Sequence, residues 1–247
     1  MVQSPIRGFL SNTLIDWEGK IAAEIFLSGC NFRCPFCHSA ILVLGCDLER
    51  IPLQSVLNCI KSEQGWIDGV VISGGEPTLE PELEVLCTEL KSYGLAVKID
   101  TNGTAPDVIR KLISLGLIDC VSLDVKAPLD SRYGAATGVE NPPIDKIKQT
   151  IELLERSSLS GRGQLPAIDY EFRTTVVPTL HGRSALEDIA KSLTGGKEWV
   201  LQQFNPKHCL NAEYEKIKPY DLNFLREVAR DLSHYLPTRV RGDYSQA

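Results

Sequence analysis

The sequence predicts an α/β protein built as a partial (βα)6 parallel barrel. From residue 21 onward, apolar extended runs alternate with amphipathic stretches at helical spacing, the β(αβ)n pattern of a parallel sheet with right-handed crossovers. The units number about six, too few for the eight of a closed barrel. An open partial barrel is therefore expected, with an open doubly wound sheet as the alternative. In both, the ligand site lies at the C-terminal ends of the strands, and polar or glycine-rich motifs follow each extended run.

The first extended run, Ile21 to Leu27, feeds into a loop with three cysteines. Leu53, Val56, Leu57 and Ile60 then recur at helical spacing. Gly69 to Ser73 is short and β-branched, the second strand. Leu83, Leu86, Cys87 and Leu90 mark a second helix, ended by Gly94. Ala96 to Asp100 is the third strand, and Val108, Ile109, Leu112 and Ile113 mark a third helix that Gly116 ends. Val121 to Val125 makes the fourth strand, and Ile144, Ile147, Ile151 and Leu154 trace the fourth helix. Between them Ala127 to Pro143, with three prolines and two glycines, reads as a long functional or mobile loop. Ser157 to Gln164 is a Ser/Gly-rich connection. Glu171 to Val177 is the fifth strand, Ala185, Leu186, Ile189, Ala190 and Leu193 the fifth helix, and Trp199 to Phe204 the sixth strand. Leu225, Val228, Ala229, Leu232 and Leu236 form a closing helix, and Arg239-Val240-Arg241 a last short strand. A single domain over 1–247 is expected, with 1–20 an N-terminal extension, 21–206 the core and 207–247 the closing helix and strand.

Composition narrows the function. The 247 residues, 43% hydrophobic and 23% charged, suit one soluble domain with a full core. A net charge of −6 gives no basic footprint, so no nucleic-acid partner is expected. The N-terminus lacks the apolar core of a signal peptide, and no apolar run is long enough to span a bilayer. A cytoplasmic protein without a membrane partner is expected. Eight cysteines in such a chain argue for metal or catalytic use over a disulfide framework. Cys59, Cys87 and Cys120 read as packing residues, while Cys46 and Cys209 lie in loops and have no assigned role.

Cys30, Cys34 and Cys37 form a C-x3-C-x2-C triplet, three thiolates offered to one point. Soft thiolates select zinc, copper(I) or an iron–sulfur cluster. A structural zinc needs a fourth ligand, whereas a cluster on three cysteines keeps one iron open to a substrate. Ser73-Gly74-Gly75-Glu76-Pro77, Asp100-Thr101-Asn102-Gly103, Asp124-Val125-Lys126, Val177-Pro178 and Gln202 to Pro206 follow the other strands. Each has an ordinary reading. Gly-Gly-Glu-Pro is a turn, or a place where glycines let a ligand approach the backbone. Asp100 to Gly103 is a helix-capping turn, Asp124 and Lys126 are a same-face pair, and His38 is a loop histidine. Their shared position on one rim favours function.

Cys30, Cys34 and Cys37, with aromatic Phe36 and the following Gly74-Gly75-Glu76-Pro77, resemble the motifs of the radical S-adenosylmethionine (SAM) enzymes. Gly8 to Lys20 and Gly29 to His38 are similar to glycyl-radical-enzyme activases. Tyr170 to Pro178, Val200 to Phe204 and Arg239 to Gly242 are similar to the longer form of anaerobic ribonucleoside-triphosphate reductase activating protein. The resemblance implies a partial barrel of the radical SAM type and one [4Fe-4S] cluster on Cys30, Cys34 and Cys37, with S-adenosyl-L-methionine chelated at the open iron. It implies adenine contacts from Phe36 and the backbone at Cys37 and His38. Gly74, Gly75, Glu76 and Pro77 would line the methionine end, and Asp100, Thr101, Asp124 and Lys126 would contact methionine and ribose. Asn205 stands where related activases carry a histidine near SAM, with Gln203 sharing that role.

The activity implied is reductive cleavage of SAM, with electrons from a donor such as flavodoxin or ferredoxin. The 5′-deoxyadenosyl radical then takes hydrogen from a glycine Cα on a partner glycyl radical enzyme. Anaerobic ribonucleoside-triphosphate reductase is the expected partner. A pyruvate formate-lyase-type activase, or a small-molecule radical SAM enzyme such as a 7-deazaguanine-type synthase, is the alternative. The Ala127 to Pro143 loop, with Arg132 and Tyr133, is the expected docking or gating element.

Overall fold

The computed structural model describes residues 4–45, 48–63, 65–158 and 165–242. Two strands, β1 (Ile6–Thr13) and β2 (Ala22–Leu27), open the chain. There follow α1 (Ala40–Leu44), α2 (Leu53–Ser62), β3 (Gly69–Gly74), α3 (Leu83–Ser92) and β4 (Ala96–Thr101). Next come α4 (Pro106–Ser114), β5 (Cys120–Asp124), α5 (Tyr133–Thr137), α6 (Ile144–Ser158) and β6 (Asp169–Val176). The chain closes with α7 (Arg183–Ser192), β7 (Trp199–Gln203), α8 (Leu222–Leu232) and β8 (Thr238–Arg241).

The eight strands lie in one sheet in sequence order. Every pair from β2 to β8 is parallel, and β1 alone runs antiparallel, against β2. The sheet does not close, so the partial barrel holds, with β2 to β7 as its six expected strands.

Strand alternation divides the sheet into two chemically distinct faces. On one, Ile25, Ile72, Ile99, Leu123, Phe172 and Leu201 are all buried. They join the apolar stripes of the helices, such as Leu86 and Leu90, Ile109 and Leu112, and Leu225 and Val228, in one core. The other face carries Glu24, Ser73, Lys98, Asp100, Ser122, Asp124, Glu171 and Arg173, which bond to one another across the strands. A small apolar cluster of Trp17, Ala22, Val71 and Cys120 completes that face at the start of the strands. Thus Lys98-Ile99-Asp100 and Glu171-Phe172-Arg173 alternate although their strands are parallel, because only one face meets helices.

Three readings need correction. Residues 6–13, expected in the N-terminal extension, form β1. Only Ile6 in that strand is buried, so hydrophobic periodicity gave no signal. The Ala127 to Pro143 loop contains α5, too short to show a helical period. Cys59 is exposed, because the buried stripe of α2 runs through Val56, Leu57 and Ile60. Cys46 and most of the Ser157 to Gln164 connection lie outside the described residues. Among those described, no helix is long and apolar enough to cross a membrane.

Candidate active site

The cysteine loop leaves the end of β2 and is tied to its neighbours through the backbone. Gly75 N donates to Leu27 O at 2.9 Å and Glu76 N to Gly29 O at 2.8 Å, extending the β2–β3 ladder past both strands. A Cβ on Gly75 would stand 1.9 Å from Gly29 O, and one on Gly74 2.2 Å from Leu27 O. The glycines are thus required by the cysteine loop itself, before any ligand is considered. From the other side, Arg33 N donates to Thr137 O at 2.7 Å, Leu210 N to Cys37 O at 3.0 Å and Asn211 N to Pro35 O at 2.9 Å.

Cys30, Cys34 and Cys37 line one wall of a cavity of about 280 Å³. Phe36, His38, Gly74, Gly75, Glu76, Asp100, Thr101, Asp124 and Lys126 line the same cavity. The structure therefore brings together most of the residues singled out in the sequence, from the ends of four strands.

Charge in the cavity is arranged around Arg173. Its Nη1 donates to Asp100 Oδ2 at 2.8 Å and its Nε to Asp124 Oδ1 at 2.6 Å. Lys126 Nζ donates to the other Asp124 oxygen at 2.7 Å. Burial alone would push the Asp124 carboxyl up, but Arg173 and Lys126 outweigh it and hold the group far below the usual carboxylate range. Burial likewise disfavours the Lys126 ammonium, and Asp124 overrides it. Burial pushes the Cys34 thiol up to about 12, with Lys126 the main opposing charge. An iron ligand would remove that proton outright.

Glu76 has a different task. Its carboxylate accepts from Thr78 N at 3.1 Å, Thr78 Oγ1 at 2.5 Å, Thr101 Oγ1 at 2.6 Å and Asn102 N at 2.6 Å. It caps the short 3-10 turn Pro77–Leu79 and pins the loop after β4 to the loop after β3. Pro77 opens that turn and is buried, and it does not line the cavity. Asp100 to Gly103 does not cap the following helix, whose N-cap is Ala105. Asn102 Nδ2 instead donates to Asn31 Oδ1 at 2.8 Å, joining that loop to the cysteines. His38 Nδ1 bonds to Lys207 O at 2.9 Å.

Gln203 and Asn205 are not brought into the cavity. Gln203 Nε2 donates to Tyr220 O at 3.0 Å, and both residues line a separate groove with Lys218 and Tyr220. Gln202, one residue earlier on β7, faces the cavity, as the two-residue alternation of a strand demands. Arg173 and Glu24 also line the cavity and were missed. Their signal was a charged residue placed between buried apolar ones in a strand. Arg132 pairs with Asp130 and Asp188 away from the cavity, and Tyr133 is fully buried. Tyr133 is therefore not displayed to a partner.

Among the described residues, no three His, Cys, Asp or Glu side chains stand close enough to hold a single metal ion. The three thiols share the cavity instead. Asp100 Oδ1 is buried without a hydrogen-bond donor, although Lys98 Nζ lies 3.5 Å away. Three soft thiols in one cavity with the Glu24 and Asp124 carboxyls and the Lys126 ammonium fit an iron–sulfur cluster that carries a ligand with ammonium, hydroxyl and carboxylate groups.

The radical SAM superfamily model matches residues 25–180. A protein of Methanocaldococcus jannaschii, named as a candidate glycyl-radical enzyme activating enzyme, is 34% identical over 95% of this chain and 94% of its own. The pyruvate formate-lyase-activating enzyme of Clostridium pasteurianum is 25% identical over 96% of this chain and 98% of its own. Among solved structures, Streptococcus suis SuiB bound to S-adenosylmethionine superposes with a TM-score of 0.64 at 17% identity. That match covers 87% of this chain and 48% of SuiB, and it speaks for the fold alone.

Proposed function

The chain belongs to the radical SAM superfamily, among its glycyl-radical-enzyme-activating members, and from that premise we propose that it installs a glycyl radical on anaerobic ribonucleoside-triphosphate reductase. The observation that carries the reading is the cysteine wall itself. Three thiols share one cavity with the Gly74–Glu76 segment, Asp100, Asp124 and Lys126. The residues similar to reductase activases, Tyr170 to Pro178 and Val200 to Phe204, contribute Arg173, Thr175 and Gln202 to the same cavity, which supports the choice of partner.

When bound, a [4Fe-4S] cluster and SAM supply, on one-electron reduction, the 5′-deoxyadenosyl radical that takes hydrogen from the partner's glycine. Cys30, Cys34 and Cys37 would hold the cluster as thiolates. Asp100, which lines the cavity while Arg173 and Lys98 hold its oxygens, would set the charge that faces SAM. Lys126 places a positive charge beside the cysteines, and Asp124 and Arg173 fix its direction. Phe36 gives an apolar surface to the adenine, and Glu76 keeps Thr101 and Asn102 in place. Gln202 replaces Gln203 and Asn205 as the contribution of β7. A low-potential donor of the flavodoxin or ferredoxin type supplies the electron.

The test is anaerobic reconstitution with iron and sulfide, reduction, and mixing with SAM and a candidate partner. A glycyl radical detected by electron paramagnetic resonance on anaerobic ribonucleoside-triphosphate reductase, and not on pyruvate formate-lyase, is the expected result. A signal only on the lyase would reassign the partner. No 5′-deoxyadenosine with either would defeat the reading.

A further inference from the structure

β5 leaves the sheet at Asp124, and Val125 makes the last ladder bond, its N–H donating to Arg173 O at 2.9 Å. Lys126 comes next. Strand pairing no longer serves its N–H and C=O, yet its ammonium must be held in the cavity, and buried backbone groups require partners. Two side chains provide them. Lys126 N donates to Tyr133 Oη at 3.1 Å, and Lys126 O lies 2.9 Å from His181 Nε2.

The direction of the second bond is decided by the other ring nitrogen. Val177 N donates to His181 Nδ1 at 2.9 Å, so Nδ1 is bare and Nε2 carries the hydrogen. Burial holds the imidazole neutral, its pKa down at about 4. Tyr133 and His181 both have 0% exposure. Behind them, Thr174 Oγ1 donates to Val125 O at 2.7 Å and receives Trp199 Nε1 at 3.0 Å. The segment is gripped on three consecutive polar atoms.

Tyr133 also opens α5, whose far end holds the cysteine loop. Thr137 O receives Arg33 N at 2.7 Å. The Tyr133 ring meets Phe32 edge-on with centroids 6.4 Å apart. A Cβ on Gly138 would lie 2.3 Å from Arg33 O. One short helix therefore references both the cysteine wall and Lys126.

We propose that Tyr133 and His181 are positioning residues that fix the Lys126 ammonium against the cysteine wall, so that SAM and the cluster meet it in register. This rests on the reading that SAM occupies the cavity. The test is calorimetric titration of SAM into the anaerobically reconstituted protein, with paramagnetic resonance of the reduced cluster in the presence of SAM. Wild type, Tyr133→Phe, Lys126→Met and the double variant are compared. Tyr133→Phe is expected to keep its iron content, to melt a few degrees lower because Lys126 N loses its partner, to weaken SAM about fivefold as the ammonium loses its fixed position, and to shift the resonance. In the Lys126→Met background it is expected to add nothing, because the two act as one unit.

An equal loss in both backgrounds, or none in folded Tyr133→Phe, overturns the proposal. Should Tyr133→Phe not fold, His181→Phe is expected to weaken SAM by a similar factor. His181→Gln, whose amide donates to the same carbonyl, should recover it. Equal behaviour of those two overturns the proposal. A wild type that binds no SAM defeats the functional reading as well, whereas a binding wild type with additive variants defeats this inference alone.

Discussion

Glu24 stands on the concave face with its carboxyl pushed up to about 7, chiefly because burial penalises the charge, although Ser73 Oγ donates to it at 2.6 Å. Its folded pKa lies above the ordinary value of 4.5. The stability it contributes is therefore complete below pH 4.5 and is lost as pH rises through about 7. Glu24→Gln should stabilise the protein at pH 8 by about 2 kcal/mol and by little at pH 4.5, as read from thermal melts at the two values. The cysteines give a second expectation. Cys30→Ser, Cys34→Ser and Cys37→Ser should each lose cluster iron, whereas Cys59→Ser, on an exposed helix face, should retain it. Iron and sulfide assays on the reconstituted proteins decide the matter. The cysteine trio was legible because its motif is contiguous in sequence. Gln202 and Arg173 were not, since their direction depends on strand phase, and choosing Gln203 in place of Gln202 turns the side chain to the opposite face.

Elements were legible in proportion to the apolar surface they bury. β2 to β7 and the longer helices carry continuous buried stripes, and their order alone implies the parallel sheet. β1 escaped because an edge strand with a single buried residue needs no apolar period. α5 escaped because its work is done by hydrogen bonds that Tyr133 Oη and Thr137 O accept, which leave no periodic trace. The contact between the loops after β2 and β3 is the element-scale feature most open to test. Gly75→Ala puts a methyl carbon 1.9 Å from Gly29 O, a backbone atom that cannot rotate away. The cysteine loop must shift, so cluster incorporation and SAM binding should both fall at least about tenfold while far-ultraviolet dichroism stays unchanged. Normal iron content and SAM affinity in Gly75→Ala would show that the two loops need not touch. An expected outcome so specific comes from backbone geometry, since glycine type alone suggests only a turn.

Across the molecule, ion pairs line the concave face from one end of the strands to the other. At the strand starts, Arg239 on β8 meets Glu18, in the connection between β1 and β2, at 2.8 Å and Glu171 at 2.9 Å. Glu171 faces Lys98 at 3.7 Å, and Lys98 faces Asp100. Arg173 then links Asp100 to Asp124, which reaches Lys126 in the cavity that the cysteines line. The first hairpin and the last strand are thereby joined at the strand starts, and the cysteines lie at the other end. The arrangement suits a site that holds its cofactors at the strand ends and admits a protein loop there. The proposed reaction is hydrogen abstraction from a glycine Cα of another protein. The direct measurement supplies the proposed reductase partner with glycine dideuterated at Cα, under single turnover with the reconstituted, reduced chain and SAM, and reads the mass of the 5′-deoxyadenosine formed. One deuterium in the product, together with a glycyl radical on the partner, is the expected result. Unlabelled 5′-deoxyadenosine with no radical on the partner would contradict it.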